Sequence, residues 1–205
     1  MAAKRKAKSA APKAAKKKTV KKAAKKVAAK AAVKKAPGTA AKKAPQKTPS
    51  GASMTLAGKA APAFTLMNDA GKKVSLKDFR GQRVVLYFYP KDDTPGCTTQ
   101  ACAFRDAEAD FSKADAVVLG VSKDTVKSHQ KFKGKFNLNF PLLADDAGVC
   151  EAYGVWKTKN MYGRTYMGIE RSTFLIDEGG KVRAEWRKVS VPGHADEVVK
   201  ALKSL

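Results

Sequence analysis

Tyr89-Pro90-Lys91-Asp92-Asp93-Thr94-Pro95-Gly96-Cys97-Thr98-Thr99-Gln100-Ala101-Cys102 is the stretch around which the rest of the chain is organised. Residues 84–89 before it are a run of branched and aromatic side chains, the pattern of a buried strand. The run stops at Pro90, passes through Asp, Thr, Pro and Gly, and resumes as an Ala-rich helical pattern. Cys97 therefore stands where a helix begins. The first turn of a helix has N–H groups without partners and the positive end of the macrodipole, which favours a sulfur placed there as thiolate. Cys97 is the candidate nucleophile.

Outward from this loop, residues 63–67 and 72–76 read as two short strands about the turn Asn68-Asp69-Ala70-Gly71, with a brief helical turn at 75–79. Residues 83–89 are the strand that delivers the loop, and 97–114 the helix behind it. The unbroken apolar run at 116–121 fits a strand covered on both faces. A helix is expected over 124–136, capped by Asp124 and turning Val126 and Phe132 inward. A short strand follows at 140–143, a helical turn at 147–153, and a polar loop with two glycines at 158–168. Residues 172–176 and 182–186 read as a hairpin across Asp177-Glu178-Gly179-Gly180, and 195–205 as an amphipathic closing helix. Strand-helix-strand-helix followed by a hairpin and a helix is the order of a thioredoxin-like α/β fold, a three-layer α/β/α sandwich.

Charge divides the chain. Residues 1–50 hold 18 of the 42 Lys and Arg and none of the 18 acidic residues, so they carry +18 of the net +24 and leave +6 on the other 155 residues. The division is expected at 1–53, a disordered Lys/Ala-rich tail, and 54–205, the folded domain. Ala and Lys favour helix, but Lys pairs on adjacent turns such as Lys18/Lys22 and Lys21/Lys25 repel and no apolar face offers docking. In composition alone the tail resembles those of linker histones and histone-like bacterial proteins. It reads as a polyanion-binding arm, with a solubilising tail or a targeting segment as alternatives; a mitochondrial presequence would show Arg, Ser and apolar stripes. Three cysteines, an odd number, without an apolar signal segment argue for a reducing compartment. No run approaches the roughly 18 apolar residues that cross a bilayer, so a soluble protein with no membrane partner is expected.

Pro90-x3-Thr94-x2-Cys97 matches the PxxxTxxC signature of peroxiredoxins. With YFYP, TPGCT, QAC, FRD and RSTFLID around it, residues 55–205 resemble the bacterioferritin comigratory protein, or peroxiredoxin Q, branch. The resemblance implies a thiol peroxidase without cofactor or metal, reducing hydrogen peroxide or organic hydroperoxides and regenerated by a thioredoxin-like dithiol. It makes Cys97 the peroxidatic thiol. The Thr94 hydroxyl would accept from one group while donating to sulfur or peroxide, fixing the line of attack. Pro90, lacking an N–H, would shield the pocket from water. Arg171, immediately before the strand at 172–176, would hold the thiolate charged and polarise the peroxide.

Cys102 poses a geometrical problem. Five residues along a helix set the two sulfurs about 140° apart around the axis and their Cα atoms roughly 8 to 9 Å apart, beyond the roughly 7 Å a disulfide tolerates. If Cys102 resolves Cys97, as CxxxxC members of the family do, the first helical turns must unwind in every cycle; an inert helix-face cysteine is the alternative. Cys150 reads as a buried spectator, or else a backup resolving thiol. Cys97, Cys102, Cys150, His129 and His194 lack the paired short spacings of a structural zinc site. A monomeric cytoplasmic enzyme is expected, nucleoid-associated or, in a eukaryote, nuclear if the tail engages DNA. The competing function is a nucleic-acid-associated redox sensor whose main role is DNA binding.

Overall fold

The structure, a computed structural model, describes residues 55–161 and 163–205. The expected tail, and its boundary with the folded domain, lie outside the described residues.

The strand that delivers the loop is the structural axis. Strand β3 (Arg83–Phe88) is buried at every position but its first. It pairs in parallel with β4 (Ala116–Ser122) and antiparallel with β8 (Ser172–Ile176). The apolar runs of β3 and β4, and the burial of all five residues of β8, follow from having both faces covered. Outward, β4 is flanked by β5 (Leu142–Ala144), then β1 (Thr65–Asn68) and β2 (Lys73–Ser75), while β8 is flanked by β9 (Val182–Trp186). The mixed seven-stranded order is β2-β1-β5-β4-β3-β8-β9.

Alternation along β3 splits the core in two. Val85, Tyr87 and Tyr89 face one side, against Cys97, Ala101 and Phe104 of α1 (Pro95–Asp106), Phe111 of α2 (Glu108–Lys113), Phe132 of α3 (Val126–Phe136), and Val198 and Leu202 of α5 (His194–Lys203). Val84, Leu86 and Phe88 face the other, against Leu56, Phe64 and Phe174, Val149 and Cys150 of α4 (Val149–Ala152), and Tyr153. Helices on the two faces of a mixed sheet give the thioredoxin-like α/β architecture read from the sequence.

Several local expectations need correction. The single helix expected at 97–114 is two, because Ala107 leaves helical geometry at φ −86°, ψ 6°. The break turns Phe111 under the sheet, its ring centroid 5.8 Å from that of Phe104. Asp124 does not cap α3: Thr125 does, its hydroxyl accepting the Ser128 N–H at 3.3 Å, while the Asp124 carboxylate is engaged elsewhere. The polar loop expected at 158–168 is a separate hairpin, β6 (Trp156–Met161) with β7 (Arg164–Ile169). Its strands escape a reading by alternation because most of their residues are exposed. Only its root is tucked in, where Ile169 is buried and Trp156 partly so.

Candidate active site

Helix α1 starts two residues earlier than the sequence suggested. Pro95 takes the first helical position, where its missing N–H costs nothing. The first helical bond runs from the Thr98 N–H to the Thr94 carbonyl, 2.8 Å. The N–H groups of Gly96 and Cys97 therefore have no partner within the helix. Cys97, Gln100, Ala101 and Phe104 recur at the spacing of one helical face and are the buried residues of α1. Cys102 lies off that stripe and is only partly buried.

Arg171 arrives from the other side. Phe88 at the end of β3 pairs with Ser172 at the start of β8, which brings the preceding residue over the first turn of α1. Its carbonyl is held by the Val189 N–H at 3.0 Å. Nη2 of Arg171 donates to Cys97 Sγ at 3.3 Å, and Nη1 donates to Gln100 Oε1 at 2.6 Å. Gly96 suits this approach, since a Cβ there would stand 3.3 Å from Nη2, a tight contact that the guanidinium would have to ease. The positive guanidinium and the helix start favour negative charge on the same sulfur.

Thr94 and Pro90 occupy the loop as expected, with two qualifications of contact. The Thr94 hydroxyl donates to the Lys91 carbonyl at 3.1 Å rather than to sulfur, which leaves its lone pairs as acceptors. Pro90, two residues beyond the end of β3, is exposed. Cys150 is wholly buried at the start of α4, and its thiol is pushed far up by burial, with the Asp145 carboxylate adding to the effect. Among the described residues, no group of three His, Cys, Asp or Glu is placed to hold a metal ion. No described helix is long and apolar enough to cross a membrane.

Sequence reading missed Gln100, although three residues along a helix from Cys97 is a same-face position. It also missed His194, buried beneath the site. Its Nε2 lies 2.8 Å from Thr173 Oγ1, and its ring meets Phe104 and Trp186 edge-on. Burial pushes His194 below its ordinary value; Glu197 opposes the shift and the Arg171 charge reinforces it. No spacing in the sequence joins residues 173 and 194.

Comparison with known proteins agrees with this fold. The AhpC/TSA family model matches residues 57–185. The chain is 60% identical over 143 residues to the putative peroxiredoxin bcp of Coxiella burnetii, covering 69% of this chain and 95% of that one. It is 53% identical over 149 residues to peroxiredoxin Bcp of Bacillus subtilis, covering 72% and 95%. Among solved structures, Xanthomonas campestris peroxiredoxin Q superposes with a TM-score of 0.66 at 49% identity, covering 69% of this chain and 90% of that one. The X. campestris bacterioferritin comigratory protein, studied in trapped-intermediate and ligand complexes for its alkyl peroxide reduction activity, gives 0.66 at 48% over the same shares.

With the family model matching residues 57–185 on this fold, the chain belongs to the AhpC/TSA family. Within it, the chain groups with the Bcp and peroxiredoxin Q proteins. It is an enzyme, a thiol-dependent peroxidase.

Proposed function

We propose that Cys97 is the peroxidatic thiol and Cys102 the resolving one, on hydrogen peroxide and organic hydroperoxides. The carrying observation is the contact of Arg171 Nη2 with Cys97 Sγ, aimed by Gln100. The thiolate attacks one peroxide oxygen in line, the O–O bond breaks, and the departing oxygen leaves with a proton as water or alcohol. Cys97 becomes a sulfenic acid. As charge builds on the departing oxygen, Arg171 and the unpartnered N–H groups of Gly96 and Cys97 are the donors near it. Thr94 orients the peroxide through its free lone pairs, and Pro90 screens the loop. The Cys102 thiol then attacks the sulfenic sulfur, water leaves, and a Cys97–Cys102 disulfide forms, which a thioredoxin-like dithiol reduces. The chemistry runs on sulfur alone and calls for no cofactor.

The folded domain, residues 54–205, acts as a monomer in the cytoplasm, and the 1–53 tail adds nonspecific binding of DNA or another polyanion through its 18 cations. A second reading, a DNA-bound redox sensor, rests on that same charge. Peroxide consumption with thioredoxin by wild type, Cys97→Ser and Cys102→Ser decides. Turnover lost in the first variant and stalled after one equivalent in the second supports the enzyme cycle. Substantial turnover in Cys97→Ser removes that residue from it. A wild type that oxidises once and is not recycled favours the sensor.

A further inference from the structure

Asp92 lies five residues before Cys97 and is buried, and a buried carboxylate is costly unless donors meet its oxygens. Here Oδ1 accepts the Tyr89 hydroxyl at 2.7 Å, and Oδ2 lies 2.9 Å from His129 Nδ1. Tyr89 and His129 are themselves buried, at 1% and 0% exposure. An ionised carboxylate only accepts, so Nδ1 carries the proton, while Nε2 is buried without a partner among the described residues. Burial pushes the Asp92 carboxyl up, but hydrogen bonds from His129, Ser128 and Tyr89 outweigh it and hold the group below its ordinary value. The main chain is tied as well. The Asp92 N–H donates to Asp124 Oδ2 at 2.8 Å, and the same oxygen accepts the Ser122 hydroxyl at 2.9 Å. This is where the expected cap residue of α3 is spent. The next residue, Asp93, sits at φ 54°, a left-handed conformation uncommon outside glycine and one that aspartate tolerates better than most residues. Thr94 and the first turn of α1 follow directly.

We propose that Tyr89, Asp92 and His129 are positioning residues for peroxide attack at Cys97, a clamp that fixes where α1 begins. By anchoring the loop to the end of β3 and to α3, they set the Thr94 hydroxyl and the Gly96 and Cys97 N–H groups in place relative to the sulfur and Arg171. None of the three donates to or accepts from the sulfur, so their effect passes through the loop backbone. Misplacement of reacting groups by about 1 Å is worth on the order of a hundredfold in rate, which gives a remote clamp its leverage. The inference rests on Cys97 being the peroxidatic thiol.

The test uses the full-length chain with four clamp variants: Tyr89→Phe, Asp92→Asn, His129→Leu and His129→Asn. Cys97→Ser is measured alongside. Two quantities are read: the rate of Cys97 oxidation in a single turnover with hydrogen peroxide, and the pH profile of Cys97 alkylation by iodoacetamide. Circular dichroism and thermal melting report the fold. Asp92→Asn and His129→Leu should slow oxidation by about tenfold to a hundredfold and move alkylation to higher pH with the fold kept. His129→Asn, whose amide nitrogen takes the place of Nδ1 and still donates, should recover most of the rate; a purely space-filling role for His129 would not distinguish it from Leu. Oxidation within about twofold of wild type in Asp92→Asn and Tyr89→Phe, or equal losses in the two His129 variants, would overturn the clamp. Should Asp92→Asn or His129→Leu fail to fold, Tyr89→Phe decides: a loss of about threefold or more supports the clamp and a wild-type rate overturns it. Retained peroxide reduction in Cys97→Ser would overturn instead the reading beneath it.

Discussion

At the scale of residues, the site is held by a guanidinium with its two arms committed. Arg171 gives Nη2 to the sulfur and Nη1 to Gln100, so the amide aims the charge that meets the thiol. Removing that aim without removing the charge should matter: Gln100→Leu is expected to slow Cys97 oxidation about tenfold, while Gln100→Glu, which keeps an acceptor, retains more activity. Stopped-flow oxidation by hydrogen peroxide measures both, and a Gln100→Leu rate equal to wild type would free Arg171 from this dependence. Arg171→Ala and Thr94→Val should each cost about a hundredfold, as expected for losing a preorganised polar contact. Spacing and family signature mark Cys97, Thr94 and Arg171 in the sequence, and the structure sets Arg171 against Cys97. Gln100 and the Asp92 cluster were not legible in the sequence, since their partners stand 71 and 37 residues away and nothing local announces a partner so remote.

At the scale of elements, the proposed cycle asks α1 both to present Cys97 and to let Cys102 reach it. Its buried stripe is thin, two of its four members being Cys97 and Ala101, so unwinding its first turns exposes little apolar surface. The break at Ala107 isolates α2 from that motion. Oxidation by one equivalent of peroxide should therefore close a Cys97–Cys102 bond within one chain and raise hydrogen exchange over residues 97–104, while the amides of α2 keep their protection. Peptide mapping checks the bond; a Cys97–Cys150 linkage, or unchanged exchange across α1, would defeat the scheme. Elements were readable in proportion to burial. The strands β3 and β4 announced themselves as apolar runs and β8 as one arm of a hairpin, whereas β6 and β7, whose side chains lie mostly in solvent, passed as a loop. The helix break escaped notice because Ala107 is a good helix former, bent by the packing of Phe104 and Phe111 rather than by its own propensity.

At the scale of the whole molecule, two acid windows are expected. His194 lies below its ordinary value of 6.5 in the fold, chiefly through burial, so on acidification the unfolded chain takes up that proton first. Its stability contribution is full above 6.5 and is lost as pH falls through that value toward the folded one. Asp92 and Asp145 are buried, which pushes them up, yet their hydrogen bonds hold both below the ordinary 3.8, so a second loss begins as pH drops past 3.8. Urea unfolding across this range should show both steps, and His194→Gln should abolish the upper one alone. For the arm at 1–50, DNA binding should weaken with salt at a slope near −8 on logarithmic axes if about half its cations engage phosphates. A chain lacking residues 1–50 should lose that binding and keep its peroxidase rate; equal affinity with and without the arm would leave it a solvated appendage. The antiparallel pairing of β3 with β8 also orders events in time. A growing polypeptide makes Cys97 long before Arg171, which lies 74 residues downstream. Until the second half of the sequence has been synthesised and laid beside the first, Cys97 stands without the guanidinium that meets its sulfur in the finished fold. On the cycle proposed above the thiol is armed only on completion, and a nascent or truncated chain holds Cys97 without the contact that would prime it for oxidation.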